Sequence, residues 1–305
     1  MLDERIVFIN GDFVAWDQAK VHMMSHSFAR GSAIFEVLSL HETSFGPAVF
    51  RLDEHIDRFF RTSKLLDMEL PISREKLHKA VTGAAKKNGL GRGFIKIIGF
   101  YPQIAFLISP PQKELDISIF VIDPAQDLGA PIRPVDRGTT VCVSKWRKLD
   151  PQTVPVRAKA AANYLNGMMA AEEARKRSFG NAIMLDTQGF IAEGGTESIF
   201  LVKGGRLMTS SAGTVLESIS RKSVLEVADV IGIESFEGRL PPELFYEADE
   251  IFLSSTAGRV APVRKIEDRM LEGTPGPLTR KLMALMGEIE AGRDERFKDW
   301  LFPVD

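Results

Sequence analysis

The chain has 305 residues, of which 44% are hydrophobic and 26% charged, and its formal net charge is −2. This composition is typical of a globular protein with one large domain or two ordinary ones, and the small net charge gives no reason to expect nucleic acid or an anionic membrane as a partner. The single cysteine, Cys142, cannot form an internal disulfide, which favours a reducing compartment such as the cytoplasm. The N-terminal residues include acids and no long apolar run, so we expect no signal peptide and no transmembrane segment.

The first part of the chain is predicted to contain short strands and two helices. Two apolar runs flank Asn10-Gly11 and predict a hairpin over 5–16, because this dipeptide favours a tight two-residue turn. Asp53 is expected to cap one helix, and Ser73 begins a second that ends at Asn88-Gly89. Further strands are predicted at 34–41, 94–100, 104–109 and 117–122.

A segment rich in proline and glycine, 126–138, predicts a linker between two domains. We therefore expect a smaller N-terminal domain at 1–125 and a larger C-terminal domain at 139–305. The elements do not alternate regularly as βαβ, so an α+β fold, or a mixed α/β fold with antiparallel sheet, is predicted rather than a Rossmann fold. The predicted elements of the second domain are strands at 139–144 and 249–254, hairpins at 182–192 and 198–209, and helices at 164–177, 220–231 and 276–291.

Lys159 and Glu193 are the residues most suggestive of chemistry. A lysine that forms a Schiff base and an acid that meets a pyridinium nitrogen are what pyridoxal phosphate chemistry needs. A lone lysine and acid at this separation are also common by chance, so the interpretation depends on the residues that surround them.

Two segments could bind a phosphate. Ser218-Ile219-Ser220-Arg221 begins a predicted helix and could supply backbone N–H groups and hydroxyls, although an ordinary serine cap explains it equally well. The small-residue run 254–258 follows a predicted strand and could serve an anion, or be only a turn.

Three further residue types have ordinary explanations. Arg58 lies away from the apolar stripe of its predicted helix, as a solvated arginine does. Tyr164 could hydrogen-bond a cofactor or be half-buried core. His22 and His26 lack a third ligand, so we expect no metal site.

In order and spacing, many segments together resemble the class IV aminotransferases, which are fold-type IV pyridoxal-phosphate enzymes. Within that group the chain is most similar to branched-chain amino acid aminotransferases. The matching segments include HMMSHSFARGSAIFE, FRLDEHIDRF, VSKWRKLDPQTVPVRAKAAANYLNGMMAAEEA, IMLDTQGFIAEGGTESIFLVKGGRLMTSS, LESISRKSVLEVAD and ADEIFLSSTAGRVAPV.

The resemblance implies a two-domain fold-type IV enzyme with pyridoxal 5'-phosphate as cofactor. It implies that Lys159 forms the Schiff base and moves the proton at the substrate Cα, and that Glu193 pairs with the pyridine nitrogen. The remaining implied roles are phenolic-oxygen contact by Tyr164, phosphate contacts by Arg58, Ile219, Ser220 and Thr256, ring packing by Leu216, and substrate contacts by Arg30, Phe35, Lys96 and Ala257.

The resemblance also implies amine transfer from an amino acid, by default a branched-chain L-amino acid, to a 2-oxo acid such as 2-oxoglutarate, in a homodimer. The substrate side departs from the family pattern. Arg30 stands where these enzymes usually have tyrosine, Lys96 where they usually have arginine, and Ser198 where they usually have asparagine. Arg30 could bind a substrate carboxylate or pair with a neighbouring acid. Open alternatives are therefore an aminodeoxychorismate-lyase-type elimination, a D-amino acid or (R)-amine aminotransferase, and a paralogue that binds the cofactor without turnover.

Overall fold

A computed structural model describes residues 2–129 and 137–304. Contacts within the chain define two compact units, of which the first contains 2–129, 158–162 and 288–304 and the second 137–157 and 163–287. Of the predicted linker 126–138, residues 130–136 lie outside the described part, and residues 126–128 belong to a short helix capped by Asp123. The proposed boundaries of the two domains stay a prediction.

The described residues form sixteen strands and eight α-helices. In chain order the strands are β1 (Ile6–Ile9), β2 (Asp12–Ala15), β3 (Ile34–Thr43), β4 (Gly46–Phe50), β5 (Gly93–Phe100), β6 (Asp116–Ile122), β7 (Thr139–Val143), β8 (Asn181–Leu185), β9 (Ile191–Gly194), β10 (Ser198–Lys203), β11 (Arg206–Ser210), β12 (Ser235–Gly238), β13 (Glu250–Ser255), β14 (Arg259–Ile266), β15 (Arg269–Met270) and β16 (Leu301–Pro303). The helices are α1 (His26–Arg30), α2 (Leu52–Leu65), α3 (Arg74–Asn88), α4 (Pro124–Leu128), α5 (Tyr164–Lys176), α6 (Ile219–Val230), α7 (Leu244–Glu247) and α8 (Pro277–Glu290).

The first unit is built on a seven-stranded sheet in the order β16-β4-β3-β5-β6-β1-β2, and every neighbouring pair is antiparallel. Strand residues alternate between its faces. Ile34, Leu38 and Leu40 of β3 therefore join one hydrophobic core, which also includes Ile56 of α2 and Leu77 of α3. Glu36 lies on the same face of β3 as these apolar residues, and its burial needs a partner.

The second unit is built on a nine-stranded mixed sheet. Its main order is β12-β11-β10-β13-β14-β7-β8-β9, with β15 paired to β14. Strand β7 is parallel to both β8 and β14, and β11 is parallel to β12. The mixture of helix and sheet is as predicted, but antiparallel pairing is complete only in the first sheet.

Local sequence signals predicted several elements correctly. The hairpin β1–β2 turns at Asn10-Gly11, with Ile9 opposite Asp12 and positive φ at both turn residues. Helix α3 has Ser73 as its N-cap and ends at Gly89 in the left-handed conformation.

Two local predictions were wrong. Arg51, not Asp53, is the N-cap of α2, and the Asp53 carboxylate instead accepts a hydrogen bond from the N–H of Glu54. The run 104–109 is not a strand, since among these residues only Ile104 forms an isolated bridge, to Ser25. Phe106 and Ile108 are exposed, so the apolar side chains of this run do not pack against the core, and burial does not stabilise a strand there.

Within the described residues no helix combines the length and apolar character needed to cross a bilayer.

Candidate active site

Lys159 lies in the first unit in a segment without regular secondary structure, and it is buried. Its backbone N–H donates to Thr62 Oγ1 at 3.1 Å, and its carbonyl accepts from the N–H of Phe35 at 3.1 Å. The main chain is therefore fixed on both sides of the lysine. Its Nζ lies 4.8 Å from the centroid of the Phe35 ring.

A buried charge cluster lies on the helix that holds the Lys159 backbone. Arg58 and Thr62 are one turn apart on α2 and share a face. Arg58 Nε and Nη2 donate to the two carboxylate oxygens of Glu36, each at 2.7 Å, and His55 Nδ1 donates to the same carboxylate at 2.8 Å. The expectation of a solvated Arg58 was wrong, because the arginine follows its buried counter-charge into the core.

The pKa values of this cluster follow from burial and pairing. Burial raises the pKa of Glu36, but the charge and hydrogen bonds of Arg58, assisted by His55, outweigh it and bring that pKa to about 2. Burial lowers the pKa of His55 below its usual 6.5, and the hydrogen bond to Glu36 opposes this. His55 is therefore a neutral donor at pH 7, and Glu36 is ionised.

Of the predicted substrate residues in the first unit, Phe35 lies beside Lys159, and Lys96 lies beside the same Phe35 ring. Lys96 is exposed on β5, and its Nζ lies 5.2 Å from the centroid of the same Phe35 ring. Arg30 ends α1, is exposed, and donates from Nη2 to the carbonyl of Phe106 at 2.8 Å. One interpretation of Arg30 was that it pairs with a neighbouring acid, but its hydrogen bond is to a backbone carbonyl. Phe35 thus has two lysine side chains near its ring.

Glu193 is the buried acid of the second unit. It lies on β9, opposite Met184 of β8, and its carboxylate forms an ion pair with Lys148. Neither sequence patterns nor the family roles had singled out Lys148, although it lies within the segment SKWRK.

The N-terminus of α6 presents hydrogen-bond donors. Ser218 is its N-cap, and its Oγ accepts from the N–H of Arg221 at 3.1 Å. The N–H groups of Ile219 and Ser220, the first two helical residues, have no acceptor within the helix. Two such donors at the positive end of a helix dipole, beside a hydroxyl, fit a phosphate. The donor set therefore suits a phosphorylated cofactor.

The remaining predicted residues of the second unit lie as follows. Leu216 is half-buried in the loop before α6, Thr256 is half-buried after β13, and Ala257 next to it is exposed. Tyr164 is half-buried and is the first residue of α5. Ser198 lies opposite Ser254 on β10 and β13, and its buried Oγ has no hydrogen-bond partner among the described residues.

One missed residue had a signal in the sequence. Ile34, Glu36 and Leu38 occupy alternate positions and therefore share one face of a strand, and the apolar residues indicate that this face is buried. A carboxylate on a buried face needs a cation or hydrogen-bond donors as partners. For Lys148 no local signal exists, because its partner is contributed by a distant strand.

Comparison with known proteins identifies the family. The amino-transferase class IV family model matches residues 33–266. The branched-chain-amino-acid aminotransferase of Salmonella typhimurium is 33% identical over 302 residues, covering 98% of this chain and 97% of the relative. The chain belongs to the class IV aminotransferase family.

Solved structures agree with this assignment. A branched-chain amino acid aminotransferase of T.th., complexed with N-(5'-phosphopyridoxyl)-L-glutamate, has a TM-score of 0.94 and 31% identity, covering 100% of both chains. The branched-chain aminotransferase of Thermoproteus uzoniensis, with norvaline, has a TM-score of 0.92 and 32% identity, covering 99% of both. The fold predicted from the resemblance is confirmed.

Proposed function

We propose that this protein is a pyridoxal-phosphate-dependent aminotransferase that moves an amine from a branched-chain L-amino acid to a 2-oxo acid such as 2-oxoglutarate. The observation that carries the proposal is Lys159, a buried lysine whose main chain is fixed at both its N–H and its carbonyl. A buried lysine whose main chain is held at both its N–H and its carbonyl presents its amine at a fixed place, which suits a reacting group.

When bound, pyridoxal phosphate supplies an aldehyde that takes up the amino group and a ring that accepts the electrons released at Cα. Lys159 Nζ would take the proton from the Cα of the donor and deliver it to C4′ of the cofactor, and would move a proton in the opposite direction when the 2-oxo acid takes up the amine. The buried Glu193 carboxylate would accept a hydrogen bond from the protonated pyridine nitrogen, which would favour the charged form of the ring. The Tyr164 hydroxyl would donate a hydrogen bond to the phenolic oxygen of the cofactor.

The phosphate is assigned to residues that lie far apart in the sequence. The N–H groups of Ile219 and Ser220 and the hydroxyls of Ser220 and Thr256 donate to it in this proposal. Arg58 contributes a cation that Glu36 already holds in place. Leu216 is proposed to pack on the ring.

The donor and acceptor classes rest on the named relatives. The T.th. complex contains a glutamate adduct, and a further structure of the T.th. enzyme contains 4-methylvaleric acid, which has a branched apolar chain. We propose that Phe35 and Ala257 contact the donor, and that Arg30 and Lys96 favour substrates with a carboxylate.

The test is a half-reaction followed by the absorption of bound cofactor. Purified protein is loaded with pyridoxal phosphate and mixed separately with L-leucine, L-glutamate and D-alanine. We expect both L-amino acids to convert the cofactor to its amine form and D-alanine to leave it unchanged. Conversion by D-alanine alone would favour the D-amino acid alternative. Stable binding without conversion by any donor would favour a lyase or a non-catalytic protein.

We further propose that the protein is a cytoplasmic homodimer. In the first unit Phe106, Leu107 and Ile108 are each at least three-quarters exposed, and such neighbouring apolar side chains are typical of a covered surface. Phe106→Asp should shift the protein to a monomer in analytical ultracentrifugation. Tyr246→Asp, at a separate exposed position of the second unit, is the matched control. A wild-type monomer would contradict the proposal.

A further inference from the structure

The ion pair between Lys148 and Glu193 differs from the other lysine–glutamate pairs of the second unit in its burial. The two side chains are only 11% and 10% exposed. For comparison, the Lys203–Glu247 pair of the same unit is 47% and 50% exposed. An exposed pair contributes little to stability, whereas a buried pair has to overcome the loss of hydration of both charges. Stability alone therefore gives no reason to bury Lys148 beside Glu193.

Lys148 is held in position by its backbone. Its N–H donates to the carbonyl of Leu185 at 2.8 Å, at the end of β8, the strand that pairs with β9. Asn166 of α5 fixes both neighbouring peptide groups. Its Nδ2 donates to the carbonyl of Arg147 at 2.9 Å, and its Oδ1 accepts from the N–H of Leu149 at 3.3 Å. The ammonium is thus brought to Glu193 by main-chain bonds that do not depend on the ion pair.

An ammonium in contact with a carboxylate stabilises its charged form over the protonated acid. A carboxylate that Lys148 holds in place is oriented to accept a hydrogen bond from the N–H of a protonated base. The cofactor proposed above offers such a base in its pyridine nitrogen.

We infer that Lys148 is a positioning residue that holds the Glu193 carboxylate in the orientation in which it accepts a hydrogen bond from the ring nitrogen of the cofactor. This inference rests on the proposed function and deepens it. Without Lys148, the Glu193 carboxylate loses its ion-pair partner and is no longer held towards the ring nitrogen. The ring then spends less time protonated, and removal of the Cα proton slows.

The experiment compares five proteins with the wild type: Lys148→Met, Lys148→Arg, Glu193→Gln, the Lys148→Met/Glu193→Gln double variant, and Lys203→Met as the matched exposed control. The direct readout is ¹⁵N NMR of pyridoxal phosphate labelled at the ring nitrogen. The second readout is the steady-state rate of amine transfer from L-leucine to 2-oxoglutarate at several donor concentrations, which separates kcat from KM. The third is the thermal midpoint of each apoprotein.

We expect the ring nitrogen to be protonated in the wild type, in Lys148→Arg and in Lys203→Met, and shifted towards the unprotonated form in Lys148→Met. The rate of Lys148→Met should fall about ten-fold or more, as is common when a group that orients a functional side chain is removed, with KM changed less than about two-fold. In the Glu193→Gln background the same change should have no further effect on the rate. The apoprotein of Lys148→Met should have a lower thermal midpoint than the wild type, and the double variant should regain most of the lost thermal stability.

Three results would overturn the inference while leaving the proposed function intact. These are a ring nitrogen as protonated in Lys148→Met as in the wild type, an unchanged rate, or a rate loss of equal size with and without Glu193. A wild type that binds the cofactor but leaves its nitrogen unprotonated would remove Glu193 from its role and the inference with it. A wild type that binds no cofactor would overturn both.

Discussion

Arg58→Met tests whether the buried carboxylate of Glu36 depends on its guanidinium partner. Methionine keeps a long apolar side chain on α2 but removes the charge and both hydrogen bonds to Glu36. Burial alone raises the pKa of Glu36, and Arg58 is the main group that reverses this. Among the described residues, the variant therefore leaves the Glu36 carboxylate in the core with His55 as its one remaining side-chain donor.

The magnitude follows from the pKa of Glu36, which folding lowers from 4.5 to about 2. At about 1.4 kcal/mol per pKa unit, this shift corresponds to roughly 3 kcal/mol of folding free energy at neutral pH. Breaking a buried ion pair by removing one partner costs a similar ~3–5 kcal/mol, because the other charge is left uncompensated. We expect Arg58→Met to lower the free energy of unfolding by about this amount.

The assay is urea unfolding at pH 7 of the apoprotein, followed by far-UV circular dichroism. Glu36→Gln/Arg58→Met is the control, because it removes the orphaned charge and keeps a hydrogen-bonding group beside His55. The double variant should regain most of the lost stability. A loss of less than about 1 kcal/mol in Arg58→Met, or a double variant no more stable than the single one, would refute the reasoning.

Further predictions concern pH, the reacting amine and the phosphate. Because the pKa of Glu36 is lower in the folded state, the ionised carboxylate contributes fully to the free energy of unfolding above pH 4.5, and this contribution is lost as pH falls towards about 2. Glu36→Gln should therefore flatten the dependence of the free energy of unfolding on pH between these values. An unchanged pH dependence would contradict the assignment. Lys159→Ala should abolish amine transfer with an unchanged circular dichroism spectrum, and borohydride should no longer attach the cofactor to the peptide containing residue 159; persistent transfer would remove Lys159 from the mechanism. Ile219→Pro keeps a residue suited to the first position of α6 but removes its N–H, so affinity for pyridoxal phosphate should fall about ten-fold while affinity for pyridoxal is unchanged. Ile219→Ala, which keeps the N–H, is the control, and equal losses in both variants would exclude a phosphate contact there.

The sequence by itself determined the elements whose signals are local. Asn10-Gly11 sets the first hairpin, because its two residues accept the positive φ angles that a two-residue turn requires. Ser73 and Gly89 bound α3, because a cap and a left-handed terminus satisfy the helix ends with neighbouring atoms. The ordered set of family segments determined the family and the predicted roles of Lys159 and Glu193.

Only the tertiary structure decided which charges are buried and what compensates them. Arg58 looked like a surface arginine along its helix, and it is buried because Glu36 lies on the core face of a strand that packs against α2. Lys148 meets Glu193 because β8, β9 and Asn166 bring together residues from separate parts of the chain. The run 104–109 had a strand-like pattern but no core to pack against. Local patterns reflect the hydrogen bonds and torsions of nearby residues, whereas the environment of a charge depends on groups that only the folded chain brings within a few ångströms.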